Sequence, residues 1–108
     1  MKNLKIFTIV LAFVLALSIT AFGQTITSTT IGGAWNATGT WVGDVVPGAS
    51  NDVIIADGAT VTINANVSVA SITVGQGTSG ILTFDGVAAR AVTVTGNVTV
   101  AAGGTFIT

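Results

Sequence analysis

The chain of 108 residues contains no cysteine and no histidine, and only 6% of its residues are charged. Without cysteine, it has neither the disulfides that usually support small secreted domains nor a thiol for lipid attachment. Without both residue types, it lacks thiol nucleophiles, imidazole acid–base groups and the usual zinc ligands. We therefore predict no catalytic residue, no enzyme activity and no cofactor. Stability is expected from stacked β-strands, from a partner or from additional chain.

Positive charge is also scarce, and it is concentrated at the N-terminus. Two of the three basic residues lie within the first five positions, a mostly apolar run fills 6–19, and Ala21 and Gly23 follow. This order is typical of a signal peptide that spans 1–23 and is cleaved after Gly23. An uncleaved anchor is the alternative, but a membrane-spanning helix needs about 20 apolar residues. We therefore expect a secreted or bacterial cell-surface protein whose mature part is not embedded in a membrane.

After position 23, Arg90 is the only basic residue, and it is outnumbered by four aspartates. Nucleic-acid binding requires a basic surface, and attraction to an anionic membrane surface requires clusters of lysine and arginine. This charge balance argues against both kinds of partner.

The mature part is rich in Val, Ile, Thr, Gly and Asn, which favour strands and turns. Apolar and polar residues alternate from Thr60 to Val69, and this alternation predicts one half-buried strand. No segment after position 23 has helical periodicity. Further strands are predicted at 51–58, 71–74, 81–84, 91–95 and 97–100, and a last strand pattern fills 105–108.

Residues 61–70 and 92–101 are identical at six of ten positions, and 80–84 resembles 103–107 more loosely. Repeated short strands with Gly and Asn turns predict a β-solenoid, in which each rung buries its Val and Ile side chains against the next. We assign the rungs to 51–108 and a Trp/Gly-rich entry with the N-terminal cap to 24–50. Because the chain ends after a strand pattern without a polar cap, we expect downstream solenoid rungs or capping by association.

The segments 39–48, 51–55 and 58–63 contain Thr-Trp-Val-Gly, Val-Pro, Asp-Val-Ile-Ile and Gly-Ala-Thr-Val-Thr-Ile in that order. This order resembles the N-terminal part of bacterial secreted right-handed β-helix surface proteins, and it is similar to the G8 domain. The resemblance covers 31–108. It implies an all-β fold of the right-handed parallel β-helix type and an adhesive or carbohydrate-associated role. It also implies extracellular polysaccharide as a partner.

Trp35 and Trp41 are the only tryptophans, and they lie six residues apart in a glycine-rich segment. They are candidate ligand contacts, because tryptophan rings can stack on sugar rings. The alternative is that they plug the open end of the first rung. We favour the plug, because the first rung of a solenoid needs a hydrophobic cover.

Four aspartates are the only acidic groups available for chemistry. Asp52 and Asp57 are candidates for the two carboxyl groups of a glycosidase, and Asp44, Asn51 and Asp52 are candidates for calcium ligands. The spacing matches no calcium motif, and Asp57 precedes a glycine as in a turn. Turn formation is therefore the preferred interpretation, with no metal site.

Thr60 with Thr62 and Thr93 with Thr95 form two Thr-x-Thr pairs on outward strand positions. Flat threonine arrays on β-solenoids bind ice, but threonine is also a polar residue well suited to strands. Ice binding requires such pairs in register on one face, rung after rung.

The sequence therefore favours a structural or adhesive β-helix segment of a larger secreted or cell-surface protein. A carbohydrate-binding module similar to G8 is the alternative. A non-catalytic part of a polysaccharide-degrading β-helix enzyme and an ice-binding solenoid are further hypotheses.

Overall fold

A computed structural model describes residues 23–108, so the predicted signal peptide lies outside the described residues except for Gly23. The described part is built of strands, with one 3-10 turn at Thr38–Thr40 and no α-helix. Within 23–108 no helix is long and apolar enough to cross a membrane. The strands are β1 (Thr25–Thr27), β2 (Gly32–Ala34), β3 (Asp52–Ile55), β4 (Thr60–Ile63), β5 (Val67–Val69), β6 (Ser71–Val74), β7 (Ile81–Phe84), β8 (Val92–Val94), β9 (Val98–Val100) and β10 (Thr105–Ile107).

The strands form three parallel sheets, which we call faces 1, 2 and 3. Face 1 has the order β1-β3-β6-β9, face 2 the order β2-β4-β7-β10, and face 3 pairs β5 with β8. Along the chain, successive strands lie on different faces. Strands of consecutive turns pair on the same face. The chain is therefore all-β and forms a β-solenoid of about three turns, which confirms this part of the predicted fold.

The first rung begins earlier in the chain than the 51–108 assignment. β1 and β2 lie within 24–50, and their register already matches the next turn, with Ile26 beside Val53 and Gly33 beside Val61. From Trp35 to the start of β3, the segment contains the 3-10 turn but no strand of the rungs. The segment 24–50 therefore supplies the first two strands of the solenoid.

The core is a set of stacked columns of aliphatic side chains. On face 1, Ile26, Val53 and Ile72 occupy neighbouring positions of consecutive strands and are almost fully buried. On face 2, Val61 and Leu82 do the same. Burying one such side chain stabilises the fold by about 1.5–3 kcal/mol. The stacked columns thus provide the kind of stability that disulfides provide in many small secreted domains.

The single strand predicted from Thr60 to Val69 is wrong in one respect, because the chain turns a corner at 64–66 between β4 and β5. Inward and outward positions still alternate through the corner, and Ile63 and Val67 are both buried. The alternation therefore identifies the inward side chains but carries no information about a change of strand direction. At the corner, Asn66 Oδ1 accepts a hydrogen bond of 2.9 Å from the Ala91 N–H.

The repeat that joins 61–70 to 92–101 is not the rung repeat. Val67 pairs with Val92, so β5 and β8 are neighbours, whereas the sequence alignment places β4 against β8 and β5 against β9. The two similar segments each contain a strand, a corner and a second strand, but they occupy different faces. The weaker similarity of 80–84 to 103–107 does join neighbouring strands, with the register displaced by one residue.

Candidate functional site

Trp35 and Trp41 lie together at the N-terminal end of the solenoid. Trp35 directly follows β2, and the 3-10 turn brings Trp41 back beside it. Both side chains are 1% exposed. Their ring centroids are 4.9 Å apart with an interplanar angle of 72°, an edge-to-face arrangement. Trp41 Nε1 donates a hydrogen bond of 2.8 Å to the Trp35 carbonyl, whereas Trp35 Nε1 is buried without a partner among the described residues.

The segment that carries Trp41 also covers the free edge of β1. The Thr29 N–H donates to the Thr40 carbonyl at 2.8 Å, and the Val42 N–H donates to the Thr27 carbonyl at 2.9 Å. These two bonds are part of an antiparallel bridge between Ser28 and Trp41. We call residues 35–42 the N-terminal cap. Because the cap buries both indoles, neither ring offers an open surface on which a sugar ring could stack.

The opposite end of the solenoid is not covered in the same way. Val98 and Val100 on β9 occupy the same columns as Ile72 and Val74, which are fully buried. The two valines are each 47% exposed, because no later strand of the described residues packs on them. We call the rung formed by β8, β9 and β10 the open end. It combines apolar side chains with strand edges that have unused backbone hydrogen-bonding groups.

A cavity of about 350 Å³ lies beside the open end. Arg90 is the only charged residue in its wall, and its guanidinium donates a hydrogen bond of 2.9 Å to Asp85. This bond lowers the pKa of Asp85, with a smaller contribution from the Val87 N–H. The lining residues are Phe84, Gly86, Ala88, Ala89, Arg90 and Thr108.

Asp57 joins two consecutive turns rather than facing a cleft. Its Oδ1 accepts hydrogen bonds from the backbone N–H groups of Gln76 at 2.7 Å, Ser79 at 3.1 Å and Thr78 at 3.2 Å. The bonds from Gln76 and Ser79 contribute most to lowering the pKa of Asp57 from 3.8 to about 2. In the return direction, Gln76 Oε1 accepts from the Asp57 N–H at 3.1 Å. The Asp57 carboxylate thus links two consecutive rungs through hydrogen bonds.

Two of the other acidic and amide candidates, Asp52 and Asn51, also have structural partners. Asp52 accepts a hydrogen bond of 2.7 Å from the Ser71 hydroxyl on the next strand. Asn51 Oδ1 accepts from the Gly48 N–H at 2.7 Å, and its amide donates to the Gln24 carbonyl at 3.1 Å. Asp44 adopts a left-handed conformation with φ of 58°. Within 23–108 no three carboxylate, His or Cys side chains are grouped to hold a metal ion.

The two Thr-x-Thr pairs do not share a face. Thr60 and Thr62 lie on β4 in face 2, whereas Thr93 lies on β8 in face 3 and Thr95 follows that strand. The register instead places Thr83 beside Thr62. Thr83 has no Thr-x-Thr signal in the sequence, because residue 81 is isoleucine.

The outward positions of face 2 form a two-by-three array on β4, β7 and β10. Each strand contributes two residues, separated by one inward residue. We call this set the Thr/Ile array. Its members are Thr60, Thr62, Ile81, Thr83, Thr105 and Ile107.

The described part of the chain therefore has three surfaces with distinct chemistry: the N-terminal cap, the open end and the Thr/Ile array. Comparisons of the chain with protein-family models, with curated proteins and with solved structures find no match.

Proposed function

We propose that the chain forms the capped N-terminal start of a secreted or cell-surface β-solenoid with a structural or adhesive role. The observation that carries this proposal is the difference between the two ends. The cap buries Trp35 and Trp41 and covers the edge of β1, while the open end leaves Val98 and Val100 half exposed. One end is built to stop the stacking of rungs and the other is suited to continue it.

Export is proposed from the residues that precede the solenoid. The positive segment, the apolar run of 6–19 and the small residues at 21 and 23 follow the signal-peptide pattern. A right-handed coil is proposed on general grounds, because connections between parallel strands of one sheet are right-handed in about 98% of cases. Export also suits the composition, since the absence of cysteine makes the fold independent of the redox compartment.

Stacking further rungs on the open end would complete two core columns. Val98 and Val100 are each 47% exposed, so full burial of both would add about 2 kcal/mol. The unused edge groups of β9 and β10 would find partners in the same step. We therefore propose that downstream solenoid rungs are the partner of this end.

The carbohydrate-binding alternative depended on exposed tryptophans, and the burial of both rings does not favour it. Contact with extracellular polysaccharide then remains a proposal for the assembled surface protein. Asp52 and Asp57 were the candidates for the two carboxyl groups of a glycosidase. Asp57 and Asp52 instead bond to groups of the neighbouring turn and strand, so turn and rung formation accounts for both.

Secretion is tested by expressing the full chain with a C-terminal tag in a bacterium and sequencing the N-terminus of the recovered protein. We expect protein outside the cytoplasm that begins at Gln24. A matched variant, Leu11→Arg with Leu15→Arg, interrupts the apolar run and should stay in the cytoplasm uncleaved. Wild-type protein that keeps Met1 and stays in the cytoplasm would contradict the proposal.

Stacking is tested by adding a second copy of 85–108 after Thr108. The position of Thr108 corresponds to Phe84 one turn earlier, so the copy continues the coil in phase. We expect Tm to rise by about 10 °C, because about 2 kcal/mol is gained in a small domain. A control extension with its strand valines replaced by serine should leave Tm unchanged. An equal Tm for both extensions would show that the open end does not accept further rungs.

A further inference from the structure

The Thr/Ile array is a regular surface that neither the cap nor the stacking of rungs explains. All six side chains are β-branched, so each places a methyl group at a similar height above the sheet. Four of them also carry a hydroxyl group. Only β4 has a full Thr-x-Thr pair, and on β7 and β10 one threonine is replaced by isoleucine, which keeps the methyl group but not the hydroxyl group. Adjacent strands are separated by about 4.8 Å, and alternate residues along a strand by about 6.7 Å. The register therefore produces a nearly rectangular lattice of methyl and hydroxyl groups.

The array differs from the outward surfaces of the other two faces. Face 1 places Asp52 and Ser71 in one outward column, so it carries a charge and a side-chain hydrogen bond. Face 3 offers a single outward pair, Ser68 beside Thr93. Face 1 has a second outward column that is uncharged and β-branched, made of Thr27, Ile54, Thr73 and Thr99, but the column beside it contains Asp52. On face 2, both outward columns are uncharged and β-branched on β4, β7 and β10, whereas β2 contributes only Gly32 and Ala34.

The hydroxyl groups of the array are available for an external partner. Among the described residues, the only protein acceptor for one of them is the Phe84 carbonyl, which lies 3.5 Å from the Thr83 hydroxyl. This distance is at the limit of a hydrogen bond. Thr60 and Thr105 are exposed, and Thr62 and Thr83 are half-buried by their neighbours. A partner can therefore contact both the methyl and the hydroxyl groups.

We propose that the Thr/Ile array binds ordered water at the surface of ice. The surface of ice is an uncharged lattice. The array is also uncharged, and its methyl and hydroxyl groups are regularly spaced. An acidic or basic polymer would find no opposite charge there, and a soluble sugar would find no concave pocket or exposed aromatic ring. The rigid sheet fixes the six side chains before binding, which reduces the ordering cost.

The test measures how the purified full chain partitions between slowly growing ice and the remaining liquid. A small unrelated soluble protein provides the baseline for passive exclusion. We expect the wild-type chain to be enriched in the ice and to inhibit the recrystallisation of small ice grains. Thr83→Lys places a hydrated charge in the centre of the array and should weaken enrichment by about tenfold.

Thr93→Lys is the matched control, because it adds the same charge to an outward strand position on face 3. It should leave enrichment unchanged. Thr60→Lys is a second variant at an exposed array position and covers the possibility that Thr83→Lys does not fold. Circular dichroism establishes that each variant retains its strands.

Two results would overturn the proposal. The first is wild-type partitioning equal to that of the unrelated protein, and the second is an equal loss for Thr93→Lys and Thr60→Lys. Binding to crystalline cellulose or chitin without enrichment in ice would assign the array to a solid polysaccharide instead. The export and extension experiments do not depend on this outcome, so the two proposals can fail separately.

Discussion

Replacing Trp41 with alanine should remove a large part of the stability of the solenoid. The indole is 1% exposed, packs edge-to-face against Trp35 and donates a hydrogen bond to the Trp35 carbonyl. Truncation of a buried tryptophan to alanine costs about 3–5 kcal/mol, including the cavity that remains. A folded unit of this size has a total free energy of unfolding of about 5–10 kcal/mol. The variant should therefore lose roughly half of its stability.

The assay is urea unfolding followed by far-UV circular dichroism, which does not depend on the tryptophan signal. Trp41→Phe keeps an aromatic ring but loses the N–H donor, and we expect a smaller loss of about 1–2 kcal/mol. Ile31→Ala is the control, because Ile31 is 86% exposed and its loss should change the free energy by less than about 0.5 kcal/mol.

The reasoning would be refuted if Trp41→Ala and Ile31→Ala had the same free energy of unfolding. Such a result would mean that the tryptophans do not close the first rung in solution. An intact fold together with lost binding to a glycan would instead support the carbohydrate-binding alternative.

Three further predictions concern the turns and the core columns. Because the pKa of Asp57 is lowered, its carboxylate stabilises the fold fully above the unfolded pKa of 3.8, and this effect is lost as pH falls towards about 2. The Tm of the wild-type chain should therefore fall across this pH interval, and the Tm of Asp57→Asn should fall less. Gly103 and Gly86 have φ of 78° and 72°, so alanine at either position should cost about 1–2 kcal/mol. A Cβ at Gly103 would also lie 2.2 Å from the Thr78 carbonyl oxygen, whereas Gly86 has open space, so thermal melts should show a larger loss for Gly103→Ala. Ile72→Ala should cost about 2–5 kcal/mol in urea unfolding, and Val98→Ala in the same column should cost clearly less, because only Ile72 is covered on both sides; equal losses would contradict the stacking order.

The strands of the middle rung were predictable because their signals are local. β6 and β7 have the bounds that alternation and flanking turn residues predict, namely 71–74 and 81–84. The inward side chains of 60–69 were also predictable, since alternation depends only on neighbouring residues. The corner at 64–66 was not, because side chains alternate in the same way through a change of strand direction. β1 and β2 are short and rich in Thr and Gly, so their apolar signal is too weak to separate them from a loop.

The candidate surfaces depend on register, which the sequence expresses only weakly. Rungs differ in length, so Asp52 pairs with Ser71 after 19 residues while Val67 pairs with Val92 after 25. A fixed repeat cannot describe such spacing, and the best sequence match therefore joined the wrong strands. The Thr/Ile array was missed for the same reason, since Thr83 becomes a neighbour of Thr62 only through pairing. Trp35 and Trp41 were identifiable as a pair from the sequence, because it contains no other tryptophan.

The register of β5 and β8 is tested most directly by disulfide cross-linking, for which this cysteine-free chain is well suited. Ser68 and Thr93 are paired outward residues on face 3, and adjacent strands place Cα atoms within the 4.4–6.8 Å range that a disulfide spans. The sequence repeat instead pairs Ser68 with Thr99, which lies on β9 in face 1. We expect Ser68→Cys with Thr93→Cys to oxidise rapidly to an intramolecular disulfide and Ser68→Cys with Thr99→Cys to remain reduced. Cross-linking of the second pair without the first would contradict the three-faced solenoid.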